Sequence, residues 1–384
     1  MDELPPDLPS LASLRGAWLE VDLTAFRRNV AALRGWLAPH VHLMAVLKAD
    51  GYGAGALPLA RVAVEAGADR LAVATVAEGI RLRQAGIRHP ILLLSLIPVD
   101  AVATALLNDL ELTVSDVSTL RLVATIARDL GVRACVHLKV DTGMARVGAD
   151  ANEVGALLGV AQSEDSLELV GVSSHFASAD DLDGATLARA HDKFRQVVVQ
   201  HAWPAGVLRH VANSAATLRS VATHWDLVRP GLILHGVIPG PWLPPDLRLS
   251  PILTLRARLM QVREFPPGTV VGYGGRHRVA RRTRLGILPV GYADGLPRAV
   301  EGKARVLVAG VACPVVGAVS MDQVVVDLGP GSPEALPVGT MAVLMGRQGE
   351  DVITADELAS WAGTLPYEIL TGLGRRLPRV YLGS

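Results

Sequence analysis

This sequence has no net formal charge, only two cysteines and no long apolar run. The 384 residues carry 37 basic and 37 acidic side chains, and zero net charge gives no reason to expect a nucleic-acid or anionic membrane partner. Its two cysteines, Cys135 and Cys313, lie in apolar, strand-like runs. We therefore expect buried thiols in a cytoplasmic protein, without a disulfide or a metal site. No uninterrupted apolar run reaches the roughly 18 residues of a membrane span.

Lysine is also scarce, which draws attention to where it occurs. Only four of the 37 basic residues are lysine, and Lys48 follows a predicted buried strand at 41–47 and precedes a glycine-rich turn. An amine can become neutral and attack a carbonyl, whereas a guanidinium cannot. The alternative is a strand-end lysine whose charged group simply extends to water.

The N-terminal part is predicted to contain a tail, one strand and one helix. Residues 1–17 are acidic and rich in proline, without the basic and hydrophobic pattern of a signal peptide, so we expect a loose tail. Residues 18–22 read as a strand. Residues 23–36 have helical spacing, with Thr24 as a possible N-cap.

A regular alternation of strands and helices follows. Eight short apolar runs are predicted as strands, at 42–47, 71–75, 91–95, 111–114, 134–140, 167–174, 208–212 and 225–229. Helical stretches lie between them, including 57–66, 76–85, 117–130 and 185–201. Right-handed crossovers would make the strands parallel, which predicts an α/β fold with a (β/α)8 TIM-type barrel. An open, doubly wound sheet is the alternative.

The second half of the chain is predicted to form a mostly β domain. Prolines crowd residues 238–251, so we place the barrel domain at 18–240 and the β domain at 250–384. Strands are predicted at 253–262, 270–273, 284–290, 304–308, 312–316, 323–327 and 341–344, and a short helix at 356–361. The strand at 18–22 is surplus to the eight, and we expect it to pair with the second domain.

Polar side chains concentrate where the predicted barrel strands end, which is the face that carries active sites in such barrels. They are Lys48, Tyr52, Lys139, Arg146, His175, Ser214 and Arg229. This set lacks the clustered carboxylates or Cys/His ligands of a metal site.

Two of these strand ends suggest a phosphate site. Ser214 follows the seventh strand and Gly231–Leu232 follow the eighth, which is a common location for phosphate on these barrels. An ordinary strand-to-helix turn is the alternative. A phosphate site opposite the amine of Lys48 predicts pyridoxal 5'-phosphate, linked covalently to that lysine.

Nine ordered segments between about Trp18 and Tyr381 resemble motifs of the alanine racemase family. They are VLKADGYGAG, HLKVDTGMARVG, SSHFASAD, ANSAATLR, VRPG, VGYGG, PVGYADG, SMDQ and PYEIL. Two positions depart from the family: His235 stands where tyrosine is frequent, and Ala145 where glycine is common. A lone histidine such as His235 is more often structural than catalytic.

The resemblance implies a role for each matching residue. Lys48 would carry the cofactor, and its phosphate would be held by Tyr52, Ser214, the Gly231 and Leu232 amides, and Tyr367. Arg229 would contact the pyridine nitrogen, to which its guanidinium can only donate. Arg146 would contact the cofactor's phenolic oxygen and the substrate carboxylate, beside a carbamylated Lys139. His175 would orient Tyr273, the second base, contributed by the other subunit, and the Met321 backbone would contact the substrate.

The implied protein is an alanine racemase that supplies D-alanine. It would interconvert L- and D-alanine by two-base proton transfer at Cα of the amino acid bound to pyridoxal phosphate, in a homodimer with shared active sites. Tyr273, Tyr367 and Met321 predict a pocket that suits a methyl group, against the rival of a racemase for larger or polar amino acids. Arg229 argues against a decarboxylase of the same architecture, and the β domain argues against a non-catalytic carrier of the cofactor.

Overall fold

The computed structural model describes residues 14–331 and 335–383, which group into two compact units. Of the described residues, those up to 24, those at 52–54 and those from 251 onward form one unit, and those at 25–51 and 55–250 form the other. Most of the predicted N-terminal tail, residues 1–13, lies outside the described residues. No helix among the described residues combines the length and the apolar character needed to cross a membrane.

Strand β1 (Ala17–Asp22) and helix α1 (Leu23–Trp36) open the described chain. The prediction that Thr24 caps this helix is wrong. The helix already begins at Leu23, and the Thr24 hydroxyl instead donates to the carbonyl of Gly383 at 3.3 Å. The strand leads directly into the helix without a separate cap residue.

Eight parallel strands form the larger unit. They are β2 (His42–Val46), β3 (Arg70–Val73), β4 (Ile91–Leu93), β5 (Leu112–Val114), β6 (Ala134–Lys139), β7 (Leu167–Ser173), β8 (Leu208–His210) and β9 (Leu227–Val228). They pair in the orders β4-β3-β2-β9 and β5-β6-β7-β8. Backbone hydrogen bonds join the two sets, from Leu93 to Glu111 at 2.9 Å and from Arg229 to Ala212 at 2.9 Å. The sheet therefore closes on itself, which confirms the predicted (β/α)8 barrel and excludes the open sheet.

Helices connect these strands and cover them. They are α2 (Ala56–Glu65), α3 (Val76–Gln84), α4 (Val102–Leu107), α5 (Val117–Leu130), α6 (Val154–Ser163), α7 (Ala185–Gln200) and α8 (Ser214–Arg219). Side chains fix several of their ends: Thr75 and Glu78 form a capping box at α3, and Asp116 accepts from the Thr119 amide at α5. Because the strands are covered on both faces, their sequences are mostly apolar, and this is the signal that made the strands predictable.

A long, mostly antiparallel sheet dominates the smaller unit. Besides β1, its strands are β10 (Leu253–Arg258), β11 (Gln261–Phe265), β14 (Thr283–Leu288), β15 (Arg305–Val308), β16 (Val311–Val316), β17 (Val324–Gly329), β18 (Met341–Gln348), β19 (Asp351–Ile353) and β20 (Arg379–Leu382). A separate two-stranded sheet pairs β12 (Val270–Val271) with β13 (His277–Arg278). The main order is β11-β14-β17-β16-β15-β18-β10-β1-β20. Strand β1 thus pairs antiparallel with β10 and parallel with β20.

The prediction for this unit differs from the structure at several elements. The single strand predicted at 253–262 is two strands, β10 and β11. Helix α9 (Ala355–Ala362) was predicted at 356–361, but α10 (Pro366–Gly372) was missed, as were β13, β19 and β20. Short elements of two to seven residues carry too few periods of apolar spacing to stand out in a sequence.

Candidate active site

The chain after β2 makes a left-handed turn. Lys48 comes two residues after the end of the strand, and the four residues that follow it, Ala49 to Tyr52, have φ values of 54°, 53°, 63° and 53°. Left-handed backbone costs an L-residue other than glycine roughly 1–2 kcal/mol. Three of the four residues here are not glycine, so surrounding contacts must hold the turn.

Side chains from other elements supply those contacts. The Asp50 carboxylate accepts from the Ala56 amide at 3.0 Å, and Glu78 accepts from the Asp50 amide at 3.3 Å. The buried ring of His235 places Nε2 at 2.9 Å from the Gly51 carbonyl and Nδ1 at 3.1 Å from the Gly231 carbonyl. His235 therefore links the turn after Lys48 to the loop that was predicted to bind phosphate.

The Lys48 amine lies in a positive environment. Lys48 as a residue is exposed, yet burial of its amine is the largest cause that lowers its pKa, followed by the charge of Arg146. Arg229 lowers the pKa further, while Glu78 opposes the shift. A lowered pKa increases the neutral fraction of the amine, which is the form that can act as a nucleophile or a base.

Lys139, at the end of β6, is almost fully buried. Its Nζ donates to the Ser174 carbonyl at 2.9 Å. Burial and then the charges of Arg229 and Arg146 hold the pKa of Lys139 well below 10.5, and only Asp141 opposes them. Both causes favour the neutral form of the amine.

The loop after β6 presents Arg146 to solvent. Asp141 shapes the loop by accepting from the amides of Gly143 at 2.7 Å and Met144 at 2.9 Å. Ala145 then adopts a φ of 53°, in the left-handed region. Glycine is the residue that adopts this conformation without strain, which explains physically why it is common at this position.

Arg229 is buried just beyond the end of β9. Its guanidinium donates to the Ser174 carbonyl at 2.7 Å, to the Val211 carbonyl at 3.3 Å and to His210 Nδ1 at 2.8 Å. Burial lowers the pKa of Arg229 to about 10, so the group remains cationic at neutral pH. His175, which follows β7, has Nδ1 at 3.4 Å from Arg229. Burial and the charges of Lys139 and Arg229 hold the pKa of His175 well below 6.5, so its ring is neutral.

Ser214 and the loop after β9 meet, as the sequence predicted. The Ser214 hydroxyl accepts from the amides of Gly231 at 3.0 Å and Ile233 at 3.4 Å. Leu232 begins a short 3-10 helix, Leu232–His235. Ile233 was not predicted as part of this cluster. Hydroxyl and amide donors converge here in the pattern that binds phosphate groups.

The β-sheet unit holds the four remaining predicted residues. The rings of Tyr52 and Tyr367 lie 6.1 Å apart, and burial raises the pKa of Tyr52, which keeps its phenol protonated. Tyr273 is 74% exposed, in a segment where Gly272 and Gly274 have φ values of 70° and 71°. Met321 is 52% exposed, and its carbonyl accepts from the Ala293 amide at 3.0 Å.

Three residues around the site were missed from the sequence: Glu78, which holds the turn after Lys48, and His137 and His210, which lie behind Arg229. His235, which the sequence analysis interpreted as more often structural than catalytic, also holds that turn. One signal could have found His137. It stands two residues before Lys139 on the same strand, and alternate residues of a strand share a face.

The side chains at the strand ends fit the predicted cofactor by their chemistry. The Lys48 amine has a lowered pKa and suits an aldehyde, while the Ser214 hydroxyl and nearby amides suit a phosphate. Lys139, Arg146 and Arg229 add positive groups to a site that would receive an anionic ligand. The fold and these groups together define a pyridoxal phosphate enzyme with a barrel and a β-sheet unit.

Comparison with known proteins narrows that class. Residues 21–239 match the family model "Alanine racemase, N-terminal domain", and residues 252–381 match "Alanine racemase, C-terminal domain". The chain belongs to the alanine racemase family. It is therefore a pyridoxal phosphate-dependent racemase, which confirms the predicted family, enzyme class and cofactor.

Individual relatives agree over nearly the whole chain. The alanine racemase of Symbiobacterium thermophilum is 42% identical over 379 residues, covering 97% of this chain and 99% of the relative. The solved alanine racemase of Streptomyces coelicolor A3(2) is 40% identical with a TM-score of 0.91, covering 98% of this chain and 100% of that one. Alanine racemase from Bartonella henselae, solved with covalently bound pyridoxal phosphate, is 28% identical with a TM-score of 0.86, covering 95% and 99%.

Proposed function

We propose that Lys48 and Tyr273 are the two bases of a racemase that interconverts L- and D-alanine. The observation that carries this proposal is the Lys48 amine, whose pKa is lowered by burial and by Arg146. Membership of the alanine racemase family supports the substrate. We assign the Cα proton of D-alanine to Lys48 and that of L-alanine to Tyr273.

The cofactor is assigned to named groups of this chain. Lys48 carries it, and Arg229 donates to the pyridine nitrogen from a position fixed by its bonds to Ser174 and His210. The phosphate is assigned to Tyr52, Ser214, Tyr367 and the amides of Gly231 and Leu232. When bound, pyridoxal phosphate supplies the electron sink that makes the Cα–H of an amino acid acidic.

The substrate carboxylate is assigned to Arg146. Its guanidinium is exposed at the end of the loop after β6, where it can donate two parallel hydrogen bonds to a carboxylate. The neutral amine of Lys139 reacts with carbon dioxide: an N–C bond forms, one N–H proton is released to solvent, and the product is a negatively charged carbamate beside the cations Arg146 and Arg229. That carbamate then accepts from Arg146 and holds it in place. The Met321 backbone is assigned to the substrate as well.

Tyr273 requires a partner subunit in this proposal. Its side chain is 74% exposed in the single chain, and the flanking glycines allow another backbone to approach closely. A phenol is a poor base at neutral pH unless its anion is stabilised. In a homodimer, His175 and Arg146 of one protomer supply that stabilisation to the Tyr273 of the other.

The two free cysteines favour a cytoplasmic location.

Hydrogen exchange at Cα tests the two-base assignment. In deuterium oxide, L-alanine should yield D-alanine with solvent deuterium at Cα and very little of the substrate's own hydrogen. Tyr273→Phe should lose exchange on L-alanine while Lys48 still exchanges the Cα proton of D-alanine. Tyr381→Phe is a matched control, because it removes a phenol of the same unit that donates to the Ala54 carbonyl at 3.1 Å.

Either of two results would refute the two-base assignment. If Tyr273→Phe exchanges L-alanine at the parent rate, or if substrate hydrogen passes directly into product, a single base serves both faces. Faster racemisation of serine than of alanine would instead refute the assignment of alanine as the substrate.

A further inference from the structure

A continuous line of buried polar groups runs through the barrel behind Arg229. Arg229 Nη1 lies 2.8 Å from His210 Nδ1, and His210 Nε2 lies 2.9 Å from His137 Nδ1. His137 Nε2 lies 3.1 Å from Glu111 Oε2, and Glu111 accepts from Arg70 Nη1 at 2.6 and 2.7 Å. Both histidines are fully buried, and Glu111 and Arg229 are nearly so.

The line runs from one end of the barrel strands to the other. Arg70 is the first residue of β3 and Glu111 precedes β5, so both stand where strands begin. His137 lies within β6, His210 ends β8, and Arg229 follows β9. Glu111 is therefore connected to the catalytic end of the barrel while standing at the opposite end.

The chemistry of the two ends fixes the direction of every hydrogen bond between them. Arg229 can only donate, so His210 Nδ1 must be an unprotonated acceptor and its proton sits on Nε2. His210 Nε2 then donates to His137 Nδ1, which leaves the proton of His137 on Nε2. That proton is donated to the Glu111 carboxylate, which can only accept when ionised. Each ring is neutral, and one arrangement of protons satisfies all contacts.

The electrostatics agree with this arrangement. Burial is the largest cause that lowers the pKa of both His137 and His210, which favours neutral rings. Burial alone would raise the pKa of Glu111, but bonds and charges from His137 and Arg70 lower it overall, so the carboxylate is ionised.

The backbone makes room for this line. A Cβ at Gly171 would lie 2.5 Å from His137 Nδ1, so any larger residue there would displace the ring. The pairing of β6 with β7 also shifts register between Val136 and His137, opposite Gly171. Such an irregularity redirects a side chain.

We propose that Glu111 is a positioning residue for the reaction. By accepting from His137, it fixes the tautomers of His137 and His210. The Nδ1 lone pair of His210 then accepts from Arg229 and holds Arg229 in its orientation. The inference rests on the proposed contact of Arg229 with the pyridine nitrogen. Without an acceptor at Glu111, His137 can carry its proton on Nδ1, where it faces the proton on His210 Nε2. The two rings can bond again only if His210 moves its proton to Nδ1, the atom that faces Arg229. Arg229 loses its bond to His210 and only backbone carbonyls orient it.

Nuclear magnetic resonance of ¹⁵N-histidine-labelled, cofactor-free protein tests the tautomers directly. Long-range ¹H–¹⁵N correlations in the parent should show His137 and His210 as neutral rings with the proton on Nε2, assigned with His137→Asn and His210→Asn. Glu111→Leu should abolish that pattern. Glu111→Gln should retain it, because its amide oxygen still accepts from His137. A doubly protonated ring, or a proton on Nδ1 in the parent, would overturn the proposal without any variant.

Kinetics of the holoenzyme supply the second readout. Glu111→Leu should lower kcat roughly tenfold, the effect of one hydrogen bond to a charged group, with little change in KM for alanine. Glu111→Gln should recover most of the loss. Glu20→Leu is the control, because Glu20 is paired with Arg256 at 2.7 Å and is also mostly buried, but in the β-sheet unit.

The outcomes separate the positioning role from general stability and from the proposed function. An equal loss of kcat in Glu20→Leu and Glu111→Leu, or unchanged histidine signals in Glu111→Leu, would overturn the proposal. If Glu111→Leu does not fold, the parent spectrum and Glu111→Gln decide it. Because the resonance measurement uses cofactor-free protein, a failure of the racemase assignment leaves that result intact.

Discussion

Replacing Lys139 by methionine should make the stability of the fold less dependent on pH. The Lys139 amine donates to the Ser174 carbonyl at 2.9 Å, and the same carbonyl accepts from Arg229 at 2.7 Å. Methionine removes the amine and keeps an unbranched side chain, while Arg229 still satisfies the carbonyl. The variant therefore isolates the titration of Lys139 from packing and hydrogen bonding.

The direction of the effect follows from the lowered pKa. Between the folded-state pKa and 10.5, the unfolded chain binds a proton at Lys139 and the folded chain does not. Stability contributed by this residue is fully present above 10.5 and is lost as pH falls toward the folded-state pKa. Within that window, the difference in free energy of unfolding between parent and variant should change by up to about 1.4 kcal/mol per pH unit.

Denaturant unfolding of the cofactor-free proteins, measured without bicarbonate across this window, gives the assay. The parent should lose stability relative to Lys139→Met with each step toward lower pH. Lys193→Met on the exposed face of α7 is the matched control, because it makes the same substitution at an exposed lysine. A constant difference for Lys139→Met would show that Lys139 titrates as an ordinary surface lysine, and the reasoning would fail.

Carbon dioxide should reverse part of this cost, because it reacts with the neutral amine. Protein incubated with ¹³C-bicarbonate should show a carbamate carbon signal that is absent in Lys139→Met. Lys139→Ala should lose activity and regain part of it with a small added carboxylic acid. Full activity of Lys139→Ala would contradict the role assigned to the carbamate.

Three further predictions concern Lys48, the dimer and the loop of Arg146. Borohydride reduction of the yellow holoenzyme should fix the cofactor to the peptide that contains Lys48, and recovery on Lys139, Lys193 or Lys303 would refute the assignment. Mixing inactive Lys48→Ala and Tyr273→Phe chains should restore activity, because one site of a mixed dimer has both groups; a fully active monomer in sedimentation would disprove the shared site. Ala145→Gly should raise the free energy of unfolding by about 0.5–1 kcal/mol in a denaturant titration, because it relieves a φ of 53°. Ala309→Gly, with a φ of 52°, should give a similar gain if backbone strain is the cause.

The parts of this protein that could be predicted from sequence are those with a repeating signal. The barrel strands are buried on both faces, so runs such as 43–47 and Ile91–Leu93 are continuously apolar, and these strands were located within a few residues. The polar residues at the ends of these strands could be predicted to lie together, because parallel strands bring their carboxyl ends to one face of the barrel.

Features that depend on distant contacts could not be predicted in the same way. The left-handed turn after Lys48 contains Ala49 and Asp50, whose types do not indicate a positive φ. The turn is held by Glu78 and His235, which lie far away in sequence. The connection from Glu111 to Arg229 likewise spans β5, β6 and β8, and no local pattern marks it.

The barrel end carries far more positive than negative charge, although the whole chain is neutral. Arg146 and Arg229 lower the pKa of Lys48 and of Lys139, and all four cations lower the pKa of His175. Glu78 opposes the shift at Lys48 and Asp141 opposes the shift at Lys139, each only in part. Such crowding destabilises the protein alone and is relieved by anions. A phosphate, a substrate carboxylate and a carbamate are all anions. The same cations that lower the pKa of Lys48 and Lys139, and so favour the reactive form of both amines, are those that the proposed ligands would neutralise. Under the proposed assignment, binding and activation at this site therefore have a common electrostatic origin.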